Sequence, residues 1–413
     1  MTETKTNSGW FGIFRTLFGI LVMFGAFRFF YNGWIDSLYL QPTFHFTFRF
    51  FEWVKVLPPV VMYFLFGLMI VCGLAIAINK YYRAACIVFF LVFTYVELID
   101  VTYYLNHYYL VSLLGFIMIF YDPKSSSSNL YNQRIIFFLK LQVSIVYFFG
   151  GINKIESDWL IQAQPLKIWL FAHNDMAVLG KLLANATVAH AAAWLSMIFD
   201  VSVAFLLWFP KTRFAAYIAL SVFHILTALL FNIGIFPWIM MITTLLFFGY
   251  SKPIKNILNI SMQSTGKFAL FILSCVATWQ LVFPLRHLLY PGNYLWTEQG
   301  FRFSWNIMLM EKNGSIEFGV QYNDNTTAGI NEKEMLTPFQ LKMVSTQPDL
   351  ILQFANLIKQ QSEKRGSPVK AVYAACNVSL NGRRSALYFD PKLNLLTTEN
   401  ELLQNIRSYS IPR

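Results

Sequence analysis

Long apolar runs recur through the first two thirds of the chain, from Trp10 to about Pro284. A helix needs about 20 consecutive apolar residues to cross the hydrocarbon core of a bilayer. Runs that approach or reach this length lie at roughly residues 10–33, 57–78, 84–103, 105–121, 135–151, 183–208, 213–231, 235–250 and 267–284. The pattern predicts an α-helical polytopic membrane bundle of about nine spans, of which the fourth is short.

The composition supports this interpretation. Hydrophobic residues make up 56% of the chain and charged residues only 13%, whereas soluble proteins carry about 25% charged residues. This excludes a disordered chain and argues against a soluble enzyme. The apolar runs end near Pro284, so we expect a transmembrane domain over residues 1–284 and an extracytoplasmic α+β domain over residues 285–413.

The C-terminal part has the alternation of half-buried strands over Ser315–Tyr322, Ala371–Leu380 and Ser385–Phe389. Asp349–Gln361 has helical spacing. The pair Asn381-Gly382 is typical of a tight turn between the last two strands. These segments predict a small mixed domain.

The net charge of +11 would suggest nucleic acid as a partner for a soluble protein. Here the basic residues fall in short loops, where they set topology instead, so we expect no nucleic-acid partner. With a cytoplasmic N-terminus, eleven basic residues lie on the cytoplasmic side and five on the other. The eleven are Lys5, Lys80, Arg83, Lys124, Arg134, Lys140, Lys211, Arg213, Lys252, Lys255 and Lys267, and the five are Arg49, Lys55, Lys154, Lys167 and Lys181.

Several familiar site patterns are missing from the sequence. The four cysteines show no CxxC or Cys/His ligand spacing, so we expect no metal. There is also no phosphate loop, Rossmann glycine pattern, HExxH or GxSxG.

The predicted topology brings a lysine and two histidines to the extracytoplasmic face. Lys154 follows the fifth span, His107 opens the fourth beside Asn106, and His224 lies in the seventh, with Asn232 at its end. Ionisable groups in membrane segments are functional candidates. The alternatives are a lysine at the lipid interface paired with the nearby Asp158, and histidines that only connect helices.

Carboxylates also occur in apolar stretches, at Glu97, Asp100 and Asp200. Such groups must be paired or protonated. Because Arg15 and Arg28 also lie in apolar runs, we expect these carboxylates to hold helices together by pairing with arginine. An ion or proton pathway is the alternative.

The run Tyr147-Phe-Phe-Gly-Gly-Ile-Asn-Lys-Ile-Glu-Ser-Asp-Trp159 resembles the signature of the vitamin K-dependent gamma-glutamyl carboxylases, Tyr-Phe-x-Ala-Gly-x-x-Lys-Leu-Asp-x-Asp-Trp. The segments Tyr104–Leu110 and Phe231–Phe236 are also similar to that family, as are Trp296-Thr297 and Phe389-Asp390-Pro391. The resemblance covers most of the chain in the right order, and its membrane part is the HTTM domain.

The resemblance implies the following chemistry. A lysine deprotonates reduced vitamin K, whose anion reacts with dioxygen to give a strongly basic alkoxide on the way to the epoxide. That alkoxide removes a γ-proton from a substrate glutamate, and the carbanion attacks carbon dioxide. Lys154 matches the catalytic base. His107 and Asn106 match residues that hold the glutamyl group.

The resemblance also implies a quinone site and a peptide site. The residues matched to the quinone site are His224, Asn232 and Trp159; those matched to the peptide site are Trp296, Phe301 and Trp305. Near the peptide site, Gly300 replaces a Leu and Phe301 a Tyr of the vertebrate members. The compact chain looks like a bacterial member, for which menaquinol is the expected reductant.

We therefore expect a carboxylase of peptidyl glutamate that uses reduced vitamin K (menaquinol or phylloquinol), O2 and CO2 and forms the quinone epoxide. Its partners would be membrane lipid and a secreted Glu-containing peptide, and its state a monomer or weak dimer in a bacterial cytoplasmic membrane. One alternative keeps the HTTM fold but has a quinol-dependent or peptide-maturation role without carboxylation. The other is a non-enzymatic receptor, immunity protein or transporter.

Overall fold

The structure is a computed structural model that describes residues 9–249 and 266–409, together with Ile411. Lys5, Lys252 and Lys255, which enter the charge count above, lie outside the described residues. The last position of the predicted span 235–250 does so as well.

Eleven of the helices in the described part precede residue 250. They are α1 (Gly9–Tyr31), α2 (Pro59–Ala77), α3 (Tyr82–Glu97), α4 (Asn106–Met118), α5 (Leu130–Ile152), α6 (Ser157–Leu160), α7 (Leu166–Phe171), α8 (Gly180–Leu183), α9 (Ala186–Leu206), α10 (Pro210–Leu230) and α11 (Phe236–Thr244). The later helices are α12 (Lys267–Val282), α13 (Tyr294–Thr297), α14 (Pro338–Val344), α15 (Pro348–Lys364) and α16 (Glu399–Ser408).

Within the described residues, six helices are long and apolar enough to cross a membrane: α1, α2, α5, α9, α10 and α12 with its short extension to Leu289. This confirms a polytopic helical membrane protein. The count of nine is not confirmed, because the other three predicted spans correspond to shorter helices. α3 and α4 have 16 and 13 residues, which at 1.5 Å per residue is shorter than the roughly 30 Å hydrocarbon core.

α5 is the central helix of the bundle. In its most apolar window 67% of the residues are buried, against 39% or less in the other five long helices. The first two helices pack closely because glycines meet: a Cβ on Gly19 would lie 2.4 Å from the Gly73 carbonyl oxygen. Small residues allow this approach in membranes, where packing rather than water exclusion drives association.

The C-terminal domain confirms the predicted strands and helix. Its four-stranded antiparallel sheet, in the order β2-β1-β3-β4, consists of β1 (Lys312–Tyr322), β2 (Thr327–Gly329), β3 (Val369–Leu380) and β4 (Ala386–Leu387). Helix α15 packs on the sheet, with the Phe354 ring edge-on to Phe318 at 4.9 Å. In the turn after β3, Asn381 and Gly382 have φ of 51° and 78°, the left-handed values that this pair favours. We call the side of the bundle that carries this domain the domain side.

Candidate active site

A cavity of about 600 Å³ lies among α5, α9 and α10, with Ile307 and Met308 of the C-terminal domain in its wall. Its lining is dominated by aliphatic and aromatic side chains, such as Phe199, Phe223 and Phe231. Its volume is within the range of small-molecule sites, which are mostly apolar with a few placed polar groups. In this cavity those groups include Lys154, Asp200, Tyr147 and His224.

Lys154 and Asp200 form a buried ion pair in the cavity wall. The Lys154 Nζ lies 2.5 Å from Asp200 Oδ2 and 3.0 Å from the Gly150 carbonyl oxygen. Both side chains are more than nine-tenths buried. The expected pairing of Asp200 with an arginine is therefore wrong, as is the alternative pairing of Lys154 with Asp158.

This pair forms because α5 and α9 approach closely at Gly151. A Cβ at Gly151 would lie 2.7 Å from the Val201 backbone nitrogen and 3.0 Å from the Asp200 Cβ. At Gly150 a Cβ would meet only the Ile307 methyl group at 3.6 Å, which is an ordinary contact. Position 151 therefore requires glycine, whereas position 150 would also accept the alanine that the family signature has there.

Trp159 covers Lys154. The ammonium nitrogen is 5.4 Å from the centroid of the Trp159 ring, which is within cation–π range. The indole Nε1 donates to the Ala193 carbonyl oxygen at 2.9 Å, so the ring is fixed against α9. Trp159 itself lines the cavity.

The preceding Asp158 binds the C-terminal domain. Arg383 donates to both Asp158 oxygens, at 2.5 and 2.6 Å, and the Asn381 side chain donates at 2.9 Å. Burial alone would raise the pKa of Asp158, but the hydrogen bonds from Arg383 and Asn381 outweigh it and lower that pKa. We call the contact of Asp158 with Arg383 and Asn381 the clamp. It holds the segment that carries Lys154 and Trp159 against the C-terminal domain.

His224 and Tyr147 form the second polar contact of the cavity. The Tyr147 hydroxyl oxygen lies 2.7 Å from His224 Nε2. His224 Nδ1 is buried and has no partner among the described residues. Since buried polar nitrogens are nearly always hydrogen-bonded, this atom is available to a molecule bound in the cavity.

His107 lies one aromatic ring away from this cavity. The Phe236 ring separates the two histidines, at 6.0 Å from His107 and 5.8 Å from His224. Asn106 accepts from the Tyr104 hydroxyl and donates to the Asn306 carbonyl oxygen, both at 2.9 Å. It thus connects α4 to the C-terminal domain.

The remaining sequence candidates do not line this cavity in the described part of the chain. Asn232 is exposed and lines a second cavity. Trp296 is buried edge-on to Tyr388, and Trp305 is buried against Tyr109 at 5.1 Å. Phe301 is half-buried and packs against the hydrophobic cluster that contains Trp296. Neighbouring Gly300 has φ of 74°, and a Cβ there would lie 2.8 Å from the His287 Cα, which explains the glycine.

Asp100 also lacks the predicted arginine partner. Its carboxylate accepts from Thr102 and Gln340 and lies 3.1 Å from His45 Nδ1. Gln340 belongs to α14, so this buried carboxylate connects the bundle to the C-terminal domain. It does not line the cavity.

Two residues that line the cavity, Tyr147 and Asp200, were not predicted as site residues from the sequence. Tyr147 is the first residue of the signature, and Asp200 is one of the carboxylates in apolar stretches. Both signals were present, but only the close contact at Gly151 identifies Asp200 as the partner of Lys154.

An apolar cavity inside a membrane bundle, with an amine–carboxylate pair in its wall, defines a class of protein: a polytopic membrane protein with a largely apolar cavity of ligand size.

Comparison with protein families agrees with this class. The HTTM domain matches residues 4–251, and the vitamin K-dependent gamma-carboxylase lumenal domain matches residues 265–412. No solved structure gives a significant match. The chain belongs to the HTTM family and, with its lumenal domain, to the vitamin K-dependent gamma-carboxylases. The family implies vitamin K as the cofactor.

Proposed function

We propose that this protein carboxylates peptidyl glutamate at the γ-carbon and couples the reaction to epoxidation of reduced vitamin K. The observation that supports this most is the buried Lys154–Asp200 pair in the wall of a largely apolar 600 Å³ cavity. The fit to a quinol is chemical: the apolar lining suits the rings and the polar groups suit the two hydroxyls. When bound, the reduced quinone with dioxygen supplies the strong base that removes the γ-proton of glutamate.

Lys154 is the proposed base that takes the hydroxyl proton of the quinol. Only a neutral amine can accept a proton, so Asp200 acts as the group that receives the lysine proton beforehand. The ion pair and the neutral amine–carboxylic acid pair differ only by transfer of one proton across this contact, and burial in an apolar cavity favours the neutral form. At 2.5 Å the two groups can exchange a proton without rearrangement.

His224 is the proposed partner of the second quinol hydroxyl. Its Nδ1 lacks a partner among the described residues, and Tyr147 fixes the ring through Nε2. His107 and Asn106 are the proposed glutamate-site residues, and His107 is separated from the cavity by the Phe236 ring.

The orientation, reductant and partners are part of the proposal. The N-terminus would be cytoplasmic, and the cavity and lumenal domain extracytoplasmic. Menaquinol would be the reductant and a secreted Glu-containing peptide the substrate. In the cavity rim, Leu195 of α9 and Val222 of α10 are 66% and 52% exposed, which favours entry of a lipid-soluble quinol from the bilayer.

The test uses the purified protein in lipid nanodiscs with reduced menaquinone, dioxygen, labelled bicarbonate and a panel of Glu-containing peptides. Quinone epoxide and fixed label are measured together. We expect both in the wild type, neither in Lys154→Ala, and both in the control Lys181→Ala, which changes an exposed lysine.

Each outcome bears on a different part of the proposal. Epoxidation that persists in Lys154→Ala would remove Lys154 from the base role. Epoxide without fixed label would favour the HTTM alternative without carboxylation. The absence of both products from folded wild-type protein would refute the enzymatic proposal in favour of a receptor or transporter.

A further inference from the structure

A second cavity of about 790 Å³ lies between α1, the end of α10 and α11. We call it the outer groove. Its α1 wall consists of Leu17, Ile20, Leu21, Phe24 and Arg28, whose spacing of three or four residues places them on one helix face. Phe24 is 55% exposed, so the groove is open towards the lipid.

The groove is apolar at one end and polar at the other. Arg28, His173 and Asn232 line it near the domain side, while Leu17 and Ile242 line its deeper part. Leu17 and Arg28 lie eleven residues apart on α1, about 16 Å along the axis. This is about half of the 30 Å hydrocarbon core, so the length of the groove matches one leaflet and would place its cationic end at the headgroup level.

Arg28 is the feature that selects the occupant. It lies 5.0 Å from the Trp34 ring, and no ion pair joins it to a carboxylate within the described part of the chain. A guanidinium presents a planar fork of donors that matches phosphate. An uncompensated cation beside an apolar groove favours an anionic occupant.

We propose that the outer groove binds one anionic phospholipid of the domain-side leaflet. Its phosphate lies on Arg28, with His173 and Asn232 as further donors, and an acyl chain lies along the Leu17–Phe24 face. The site is separate from the quinol cavity, which holds Lys154 and Asp200 and lacks Arg28 among its lining residues.

The lipid would also support the wall between the two cavities. Leu230, Phe231 and Ile233 line both. A Cβ on Gly234 would lie 3.8 Å from His107 Nε2, so this segment separates the groove from His107. We expect the lipid to lower the KM for quinol, a consequence that rests on the proposed function, whereas lipid binding itself does not.

The experiment measures lipid retention by native mass spectrometry. The protein is reconstituted with phosphatidylcholine and phosphatidylglycerol in equal amounts and then released into detergent. We expect one retained phosphatidylglycerol per wild-type chain, and a preference over phosphatidylcholine that falls about tenfold in Arg28→Gln. The control Arg49→Gln, at an exposed arginine outside the groove, keeps the preference.

A second variant fills the groove without changing its charge. Ala228 is part of the lining, and Ala228→Trp should prevent retention of either lipid while the melting temperature of the detergent-solubilised protein stays near that of the wild type. An unchanged preference in Arg28→Gln, retention of only phosphatidylcholine or quinone, or no retained lipid in the wild type would each overturn the proposal. Loss of epoxidation with intact lipid retention would instead count against the proposed function alone.

Discussion

The contact between α5 and α9 gives a sharp test of how the site is positioned, through Gly151→Ala. The added Cβ would lie 2.7 Å from the Val201 nitrogen, where ordinary contact begins at 3.4 Å, so α9 must shift by about 0.7 Å. Asp200 precedes Val201 and would move away from Lys154. Misplacement by about 1 Å can cost about a hundredfold in rate, and overpacking costs about 1–3 kcal/mol of stability.

The neighbouring glycine provides the matched control. In Gly150→Ala the new Cβ meets Ile307 at 3.6 Å, and both variants gain the same helix propensity of about 1 kcal/mol relative to glycine. We expect epoxidation at saturating quinol to fall tens- to a hundredfold in Gly151→Ala and to change by less than about threefold in Gly150→Ala. Thermal unfolding in nanodiscs reports whether the variants fold. Equal rates in the two variants would refute the argument that this contact sets the Lys154–Asp200 geometry.

Other substitutions test the neighbouring contacts. Asp200→Asn leaves an amide that cannot receive the lysine proton, so epoxidation should fall at least a hundredfold; a rate near the wild-type value would remove Asp200 from the proton path. Tyr147→Phe frees the His224 ring, and the KM for quinol should rise about tenfold, as expected for one lost hydrogen bond; an unchanged KM would contradict this role. Arg383→Ala should cost about 2 kcal/mol of stability at neutral pH by unfolding assays. Because the paired Asp158 has a lowered pKa, the clamp stabilises the fold above the unfolded-state pKa of about 3.9, and this stabilisation is lost as the pH falls from there through the lower folded-state pKa. Acid should therefore destabilise the wild type more than Arg383→Ala, and equal acid sensitivity would count against the clamp.

The structural features that depend on local sequence pattern could be predicted from the sequence. Strands β1 and β3 follow the alternation of their side chains, and the long apolar runs became helices, although α3, α4 and α11 are shorter than the runs that predicted them. The Asn381-Gly382 turn was predictable because few residue pairs tolerate its backbone angles. Lys154 and His224 were found because ionisable residues are rare in apolar context, and both line one cavity.

What the sequence could not provide was the choice of partners. A buried carboxylate must be hydrogen-bonded or ion-paired. Neither Asp100 nor Asp200 pairs with an arginine, because the partner depends on which helices approach each other. That approach is decided at Gly151, where the missing side chain lets α9 bring Asp200 to Lys154. The same signature also carries Asp158 to Arg383, so residues on either side of Ile155 have different roles: Lys154 lies in the cavity wall and Asp158 binds the C-terminal domain. A family signature is therefore better interpreted as a set of separate contacts than as a single catalytic unit: Tyr147, Lys154 and Trp159 line the cavity, whereas Asp158 binds the C-terminal domain.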